Sequence, residues 1–456
     1  MPIASGSAHA EGVNRLLRSY RAIPTTATVR LAKPTSNLFR ARAKSTTPGL
    51  DTSGLTGVID VDPVNRTAEV AGMCTYEDLV AATLAHGLSP LVVPQLKTIT
   101  LGGAVTGLGI ESASFRNGLP HESVLEMDIL TGSGEIVTAA PDRLADLYRG
   151  FPNSYGTLGY SVRLRIQLEP VKPFVALRHI RFHSLDELVS VMESIVNTAA
   201  YEGESVDYLD GVVFAADECY LSLGALTAAP GPVSDYTGQR VYYRSIQHPD
   251  GISNDRLTIH DYLWRWDTDW FWCSRAFGAQ NPGIRRLWPR KYRRSSVYWK
   301  LIALDQRYDI ADRIERFNGR PARERVVQDV EVPIWRTPEF LRWFLDEIPI
   351  EPVWVCPLRL RDSEGWPLYP IRPGQTYVNI GFWSSVPAGA VEGATNRLIE
   401  RKVSELGGHK SLYSESFYTR DEFEPLYGGE HYRTLKKTYD PDNRLLDLYA
   451  KAVRRQ

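Results

Sequence analysis

The chain has 456 residues, 43% hydrophobic and 23% charged, with a formal net charge of −1. That length exceeds one simple core and predicts two or three domains of about 150 residues each, and the near-neutral balance gives no global pull toward nucleic acid. The four cysteines, Cys74, Cys219, Cys273 and Cys356, form no CxxC pair, so neither a zinc site nor a disulfide framework is expected, and no metal is assigned. The N-terminal "MPIASGSAHAEGVNRLL" lacks an apolar h-region, and no apolar run reaches the roughly 18 residues of a membrane span. A cytoplasmic protein is expected, with contact at a membrane surface left open.

In chain order, "GVIDVD" and "TAEVAG" alternate apolar and polar residues around "PVNR", which predicts a hairpin. "TYEDLVAATLAHG" reads as a helix: Thr75 is a candidate N-cap with Asp78 three residues on, and Gly87 can close it. "VLEMDILTGSGEIVTA" reads as strand, turn and strand. "SVRLRIQL" is strand-like and leads into the proline-punctuated "LEPVKPF", where a domain boundary is placed. Beyond it "RVVQDVEVPI" and "PVWVCPLRL" read as strands and "TPEFLRWFLDEI" as a helix. The tail "EHYRTLKKTYDPDNR" begins helical and breaks at Pro441.

Between the first helix and the next strand lies "LKTITLGGAVTGLGIESASFRNG", residues 96–118, with glycines at 102, 103, 107, 109 and 118. It is not a P-loop, which needs GxxxxGK[ST], and "GLGIES" gives GxGxxS rather than a dinucleotide fingerprint. Two readings stay open: a glycine-rich structural turn, or a loop whose bare N–H groups approach a pyrophosphate. Two further segments bear on the choice. "RLAKPTSNLFR", residues 30–40, is an early loop of small and polar residues, and "NSYGTLGYS", residues 153–161, precedes a strand.

In order and spacing these three segments resemble the FAD-binding domain of the vanillyl-alcohol-oxidase and p-cresol-methylhydroxylase type. "LGGAVTGLGIESASFRNGL", "VVQDVEVPI", "VWVCPLRL" and "SFYTRDEFEPLYGGEHYRTLKK" also resemble segments of delta-24 sterol reductases. A closer likeness is to bacterial flavoproteins that reduce a methylene-branched fatty acyl chain to the methyl-branched, tuberculostearic type. The resemblance implies an α+β fold, a two-part FAD-binding domain plus a mixed-sheet substrate (cap) domain. It implies reduction of an isolated C=C bond through FAD, with NADPH as electron donor and a lipid methyltransferase acting upstream. By the same likeness Lys33, Pro34, Thr35, Ser36 and Asn37 complete the pyrophosphate cradle. Thr100, Leu101, Gly102, Gly103, Gly107, Gly109, Ile110, Glu111 and Ser112 wrap the FAD, and Gly156, Thr157 and Gly159 lie near the flavin. Many relatives carry a flavin-linking His in the early loop. Here that loop has neither His nor Cys, and His121 in the second loop lies in no recognised attachment pattern, so FAD is expected to be non-covalent.

"DYLWRWDTDWFWC", residues 261–273, interleaves four tryptophans with Asp267 and Asp269. It reads either as packed core with surface acids or as a site. An unactivated alkene accepts hydride more readily if a proton arrives with it. Aromatic faces stabilise the developing positive charge, and a carboxyl kept neutral by an apolar wall supplies the proton. Candidate proton donors are therefore Asp269, Asp267, Glu331 and Asp329, in that order, with Tyr439 behind them. Asp329 and Glu331 share one strand face, opposite Gln328 and Val330. "RRLWPRKYRRSSVYWK", residues 285–300, holds seven basic residues and four aromatics. It reads as a solvated basic loop or as a contact with an anionic membrane surface; no RNA-binding signature accompanies it.

The sequence thus predicts an FAD domain at 1–170, a substrate domain at 171–404 and a C-terminal segment at 405–456 that returns to the flavin. The expected activity is FAD-dependent reduction of a lipid C=C bond at the inner face of a membrane. The alternatives are a sterol side-chain reductase, a flavin-dependent alcohol oxidase, and a membrane-associated lipid-binding flavoprotein without chemistry.

Overall fold

A computed structural model describes residues 6–33, 39–40, 48–238, 240–249, 251–308 and 322–454. Two antiparallel sheets organise them. The first contains β1 (Val58–Asp62), β2 (Thr67–Ala71), β3 (Leu88–Pro90), β4 (Val124–Leu130), β5 (Ile136–Ala139) and β6 (Tyr160–Pro170), in the order β1-β2-β6-β4-β5 with β3 on β6. The expected hairpin is β1–β2, closed by Asp62, whose carboxylate accepts from the N–H groups of Val64 and Asn65. The helix Tyr76–Leu84 starts where the capping pattern places it: Thr75 Oγ1 accepts from Asp78 N. β4 and β5 are the predicted strand pair, and β6 is the predicted long strand.

Beyond Pro170 the chain turns into β7 (Phe174–Phe182), a small pair β8 (Ala200–Tyr201) and β9 (Glu204–Ser205), then β10 (Tyr208–Ala215), β11 (Glu218–Thr227), β12 (Ile252–Thr258), β13 (Arg323–Pro333), β14 (Val353–Leu358), β15 (Tyr377–Pro387) and β16 (His409–Lys410). All but β8 and β9 join one eight-stranded sheet, β12-β7-β11-β10-β14-β15-β13-β16, with every pair antiparallel.

The alternation of side chains along a strand gives this sheet two unlike faces. Val326, Val330 and Val332 of β13 share an apolar core with Val353, Val355, Val378, Ile380 and Phe382, under the helices Leu185–Thr198, Thr337–Glu347 and Ala394–Glu405. The opposite face carries Asp329 and Glu331 of β13, Trp354 and Cys356 of β14, and Asn379 and Trp383 of β15. That face turns toward the first sheet, and Trp354, Cys356 and Trp383 lie in the same core as the glycine segment and the tryptophan-rich segment. No helix among the described residues is long and apolar enough to cross a membrane. No cluster of metal-ligating side chains occurs among them.

Candidate active site

A cavity of about 390 Å³ lies between the glycine segment and the inner face of the second sheet. Its first end is built by Arg30, Lys33, Thr100, Gly102, Gly103, Gly156, Tyr160, Ser161 and Lys451. The glycine segment is not all loop: Leu101–Thr106 forms a short helix capped by Thr100, whose Oγ1 accepts from Gly103 N and from Lys33 Nζ at 3.1 Å. Ser114–Asn117 adds another single turn. Gly102 sits where a Cβ would come within 2.5 Å of the Gly72 carbonyl oxygen, so only glycine allows this crossing. Gly156 has φ +74° and turns the segment after Tyr155 along the cavity.

The second end is aromatic. Trp270 and Phe271 have φ of 46° and 58°, a left-handed conformation that costs non-glycine residues on the order of 1–3 kcal/mol each. The strained turn directs both rings into the cavity. Trp270 stacks on Phe39 at 5.4 Å and Phe271 on Trp383 at 4.1 Å. Trp354 completes the wall, its Nε1 donating to Asp210 at 3.1 Å.

Asp329, Asn379, Ser411 and Tyr413 supply the polar atoms of this end. Asn379 Nδ2 donates to Asp329 Oδ1 at 3.1 Å. Burial pushes the Asp329 carboxyl up to about 6, against hydrogen bonds from Tyr413 and Asn379. Glu331 stands behind the wall, fully buried, and accepts from Ser411 Oγ at 2.8 Å. Burial pushes its carboxyl up to about 8, against the nearby Tyr369 hydroxyl and the hydrogen bond from Ser411. Gly381, between these acids and Trp354 in register, has no room for a Cβ beside Asp329 and the Trp383 ring.

The acids ranked first by sequence lie elsewhere. Asp269 forms a buried bidentate pair with Arg285, at 2.7 and 3.0 Å, and accepts from Ser274. Asp267 accepts from Lys97 N and Ser295 Oγ. Neither lines the cavity: within the tight turn 267–271 the aromatic rings point inward and the acids turn away to anchor it. Tyr439 bonds Asp146 at 2.9 Å, away from the cavity. Leu101 is buried in the core, Thr157 bonds Ser154 O, and Gly159 packs on the Leu130 carbonyl, so none of these lines the wall. Gly109 packs on Pro94 and Pro120, and with Gly107 and Ile110 it lines the cavity.

Glu111 and Ser112 belong to a buried ionic cluster instead. Arg265 donates to Glu111 at 3.0 Å and to Asp210 at 2.9 Å, and Ser112 Oγ donates to Glu111 Oε1. His121 lies against Trp366 and does not line the cavity. Pro34, Thr35, Ser36 and Asn37 lie outside the described residues. Sequence reasoning missed Trp354, Asn379, Trp383, Ser411 and Tyr413, which strand register and the return of the tail bring together. The clue available for Arg265 was a cation inside an apolar run, which needs a buried acid as partner.

A family model described as an FAD-binding domain matches residues 25–140. The chain is an FAD-linked oxidoreductase. It is similar to the Delta(24)-sterol reductase of Rattus norvegicus, 25% identical over 415 residues, which cover 87% of this chain and 76% of that protein. It is also similar to the Delta(24)-sterol reductase of Arabidopsis thaliana, 24% identical over 451 residues, covering 88% and 76%. With cytokinin dehydrogenase 6 of Oryza sativa subsp. japonica it shares 32% identity over 145 residues, 32% of this chain and 27% of that one. The fold is α+β, a p-cresol-methylhydroxylase-type FAD domain joined to the sheet-and-helix substrate domain. The residues present fit FAD. Ser161 Oγ at the glycine end and Asn379 Oδ1 at the aromatic end are buried on the cavity wall without partners, and three cations gather beside the glycines.

Proposed function

We propose that this oxidoreductase reduces an isolated C=C bond in a lipid, a methylene-branched fatty acyl chain, with NADPH as electron donor. The observation that carries the reading is the pair of buried carboxyls, Asp329 and Glu331, at the aromatic wall of the FAD cavity. Lys33, Thr100, Gly102, Gly103 and Ser161 would hold FAD non-covalently. Reduced FAD supplies the hydride equivalent. Trp270, Phe271, Trp354 and Trp383 exclude water from an apolar chain and face positive charge developing at carbon, worth on the order of 0.5–2 kcal/mol per ring. Burial pushes Glu331 toward the neutral acid, the proton donor that reduction of an alkene needs. A sterol side chain is the second reading, supported by the names of the relatives.

Anaerobic NADPH should bleach the bound flavin, and vesicles carrying a methylene-branched acyl lipid should restore its colour with a product two hydrogens heavier. Recovery only with a side-chain-unsaturated sterol selects the second reading. Recovery with neither, together with bleaching by an alcohol, rejects both.

We also propose that the enzyme works as a peripheral protein at the cytoplasmic face of an anionic membrane, through a different feature from the one expected. Four of the seven cations in 285–300 have internal partners: Arg285 with Asp269, Arg290 with Asp235, Arg294 with Glu77, and Arg293 with the carbonyls of Thr237 and Trp288. The same segment presents an apolar groove of Ile284, Leu287, Trp288, Pro289, Tyr292 and Val297. Leu287 is 84% exposed and Ile284 44%. Arg286 and Lys291 are exposed beside it, and no Asp or Glu occurs between Asp269 and Asp305. Burying a leucine-sized side chain contributes about 1.5–3 kcal/mol. Leu287→Ser with Ile284→Ser should therefore weaken sedimentation with anionic vesicles at least about tenfold, and Arg290→Ser only slightly. The reverse ranking would restore the purely electrostatic reading, and equal binding to neutral vesicles would reject the anionic preference.

A further inference from the structure

Ser411 is on the cavity wall, and its hydroxyl is the contact between that wall and Glu331. Glu331 Oε1 accepts from Ser411 Oγ, while Oε2 is buried without a well-formed hydrogen bond. A hydroxyl both donates and accepts. When Glu331 carries a proton the bond reverses: the carboxyl O–H donates to Ser411 Oγ, and the serine hydrogen is released toward the cavity.

We propose that Ser411 delivers the proton to the alkene and that Glu331 is the acid that recharges it. This rests on the alkene-reducing reading above. The electron pair of the C=C bond forms a C–H bond with the Ser411 hydroxyl proton as the other carbon receives the hydride equivalent of reduced flavin. Ser411 takes the Glu331 proton, and Glu331 is left as a carboxylate that regains a proton from solvent.

The two neighbouring acids divide the work through their surroundings. Asp329, with hydrogen bonds from Asn379 and Tyr413 and a carboxyl near 6, is mostly ionised at pH 7 and faces developing positive charge. Glu331, near 8, keeps its proton. Among the described residues no cation pairs with Glu331 to hold it ionised. On its own strand is Asp329, and opposite it on β16 is His409, which burial lowers to about 4. Tyr369, Tyr155, Tyr413, Tyr418 and Tyr427 all stay neutral, raised by burial. Arg40 lines the same cavity, 5.3 Å from the centre of the Tyr155 ring, and donates to the Leu412 carbonyl rather than to Glu331, and Lys410 is paired with Glu400.

Infrared titration of the full-length protein tests the pairing without turnover. A protonated-carboxyl band should disappear with a midpoint near pH 8. Glu331→Gln should lack it. Ser411→Ala should move the midpoint upward, because the serine's donated hydrogen bond favours the carboxylate. A band that survives Glu331→Gln, vanishes in Asp329→Asn, or keeps its midpoint in Ser411→Ala overturns the proposal. In stopped flow, flavin reduced by dithionite should be reoxidised by methylene-branched acyl vesicles about 10²-fold or more slowly in Ser411→Ala. In Glu331→Gln the fall in rate above pH 8 should disappear. Ser411→Ala reoxidising at the wild-type rate overturns the route. Wild-type flavin that no lipid alkene reoxidises rejects the functional reading, while the infrared result still decides the Glu331–Ser411 pairing.

Discussion

Arg265→Met should destabilise the protein by about 3–5 kcal/mol, the scale for removing one partner from a buried ionic cluster. Arg265 is 2% exposed, and its guanidinium spans Glu111 in the glycine segment and Asp210 on β10. It also lies 4.0 Å from the centre of the Tyr262 ring. Removing it leaves Glu111 and Asp210 buried without their cation. Asp210 also accepts from Trp266 and Trp354, so the loss reaches the cavity wall. Denaturant unfolding measures the cost. Raising the pH from 6 to 8 should deepen it, because burial already raises the Glu111 carboxyl and the unfolded glutamate loses its proton readily while the buried one resists. A variant within about 1 kcal/mol of wild type at pH 8 would show that the cluster does not join the two domains energetically.

Gly103→Val should yield a folded protein without flavin. Gly103 is helical, so its role is space rather than a glycine-only backbone. A Cβ there would come within 2.8 Å of Thr100 Oγ1, the atom that caps the helix and receives Lys33 Nζ. Displacing that cap costs about 1 kcal/mol of stability, which a protein of this size tolerates. The remaining methyl groups stand in the cavity. Circular dichroism should be unchanged while FAD affinity falls more than tenfold, at least about 1.4 kcal/mol. Full flavin content in the purified variant would move the pyrophosphate cradle away from this helix.

The strand and helix signals were local and could be read directly. Alternation predicted β1, β2, β6 and β13, and the Thr75–Asp78 spacing predicted the helix Tyr76–Leu84, because each pattern is fixed by backbone geometry within one element. The strand period also placed Asp329 and Glu331 on one face before any partner was known. FAD was legible through the resemblance of three segments, in order and spacing, to a known FAD-binding domain; the glycines alone left a structural turn open.

Which acid faces the cavity was not legible, for the opposite reason. Proximity in sequence ranked Asp269 and Asp267 first, since they sit among tryptophans. In the folded chain a left-handed turn at Trp270 and Phe271 sends those rings one way and the acids another, to Arg285, Lys97 and Ser295. For the cationic segment the sequence showed the charges and not their partners, and the fold pairs four of the seven internally. By itself the sequence determined the elements and the strand faces, both consequences of short-range spacing, while the glycine segment took its meaning from family resemblance. Only the tertiary structure decided which acid meets the cavity. β13, β14 and β15 are brought into register from positions far apart in the chain, and Ser411 arrives from the C-terminal segment. Burial then shifts each carboxyl according to neighbours that no local pattern records.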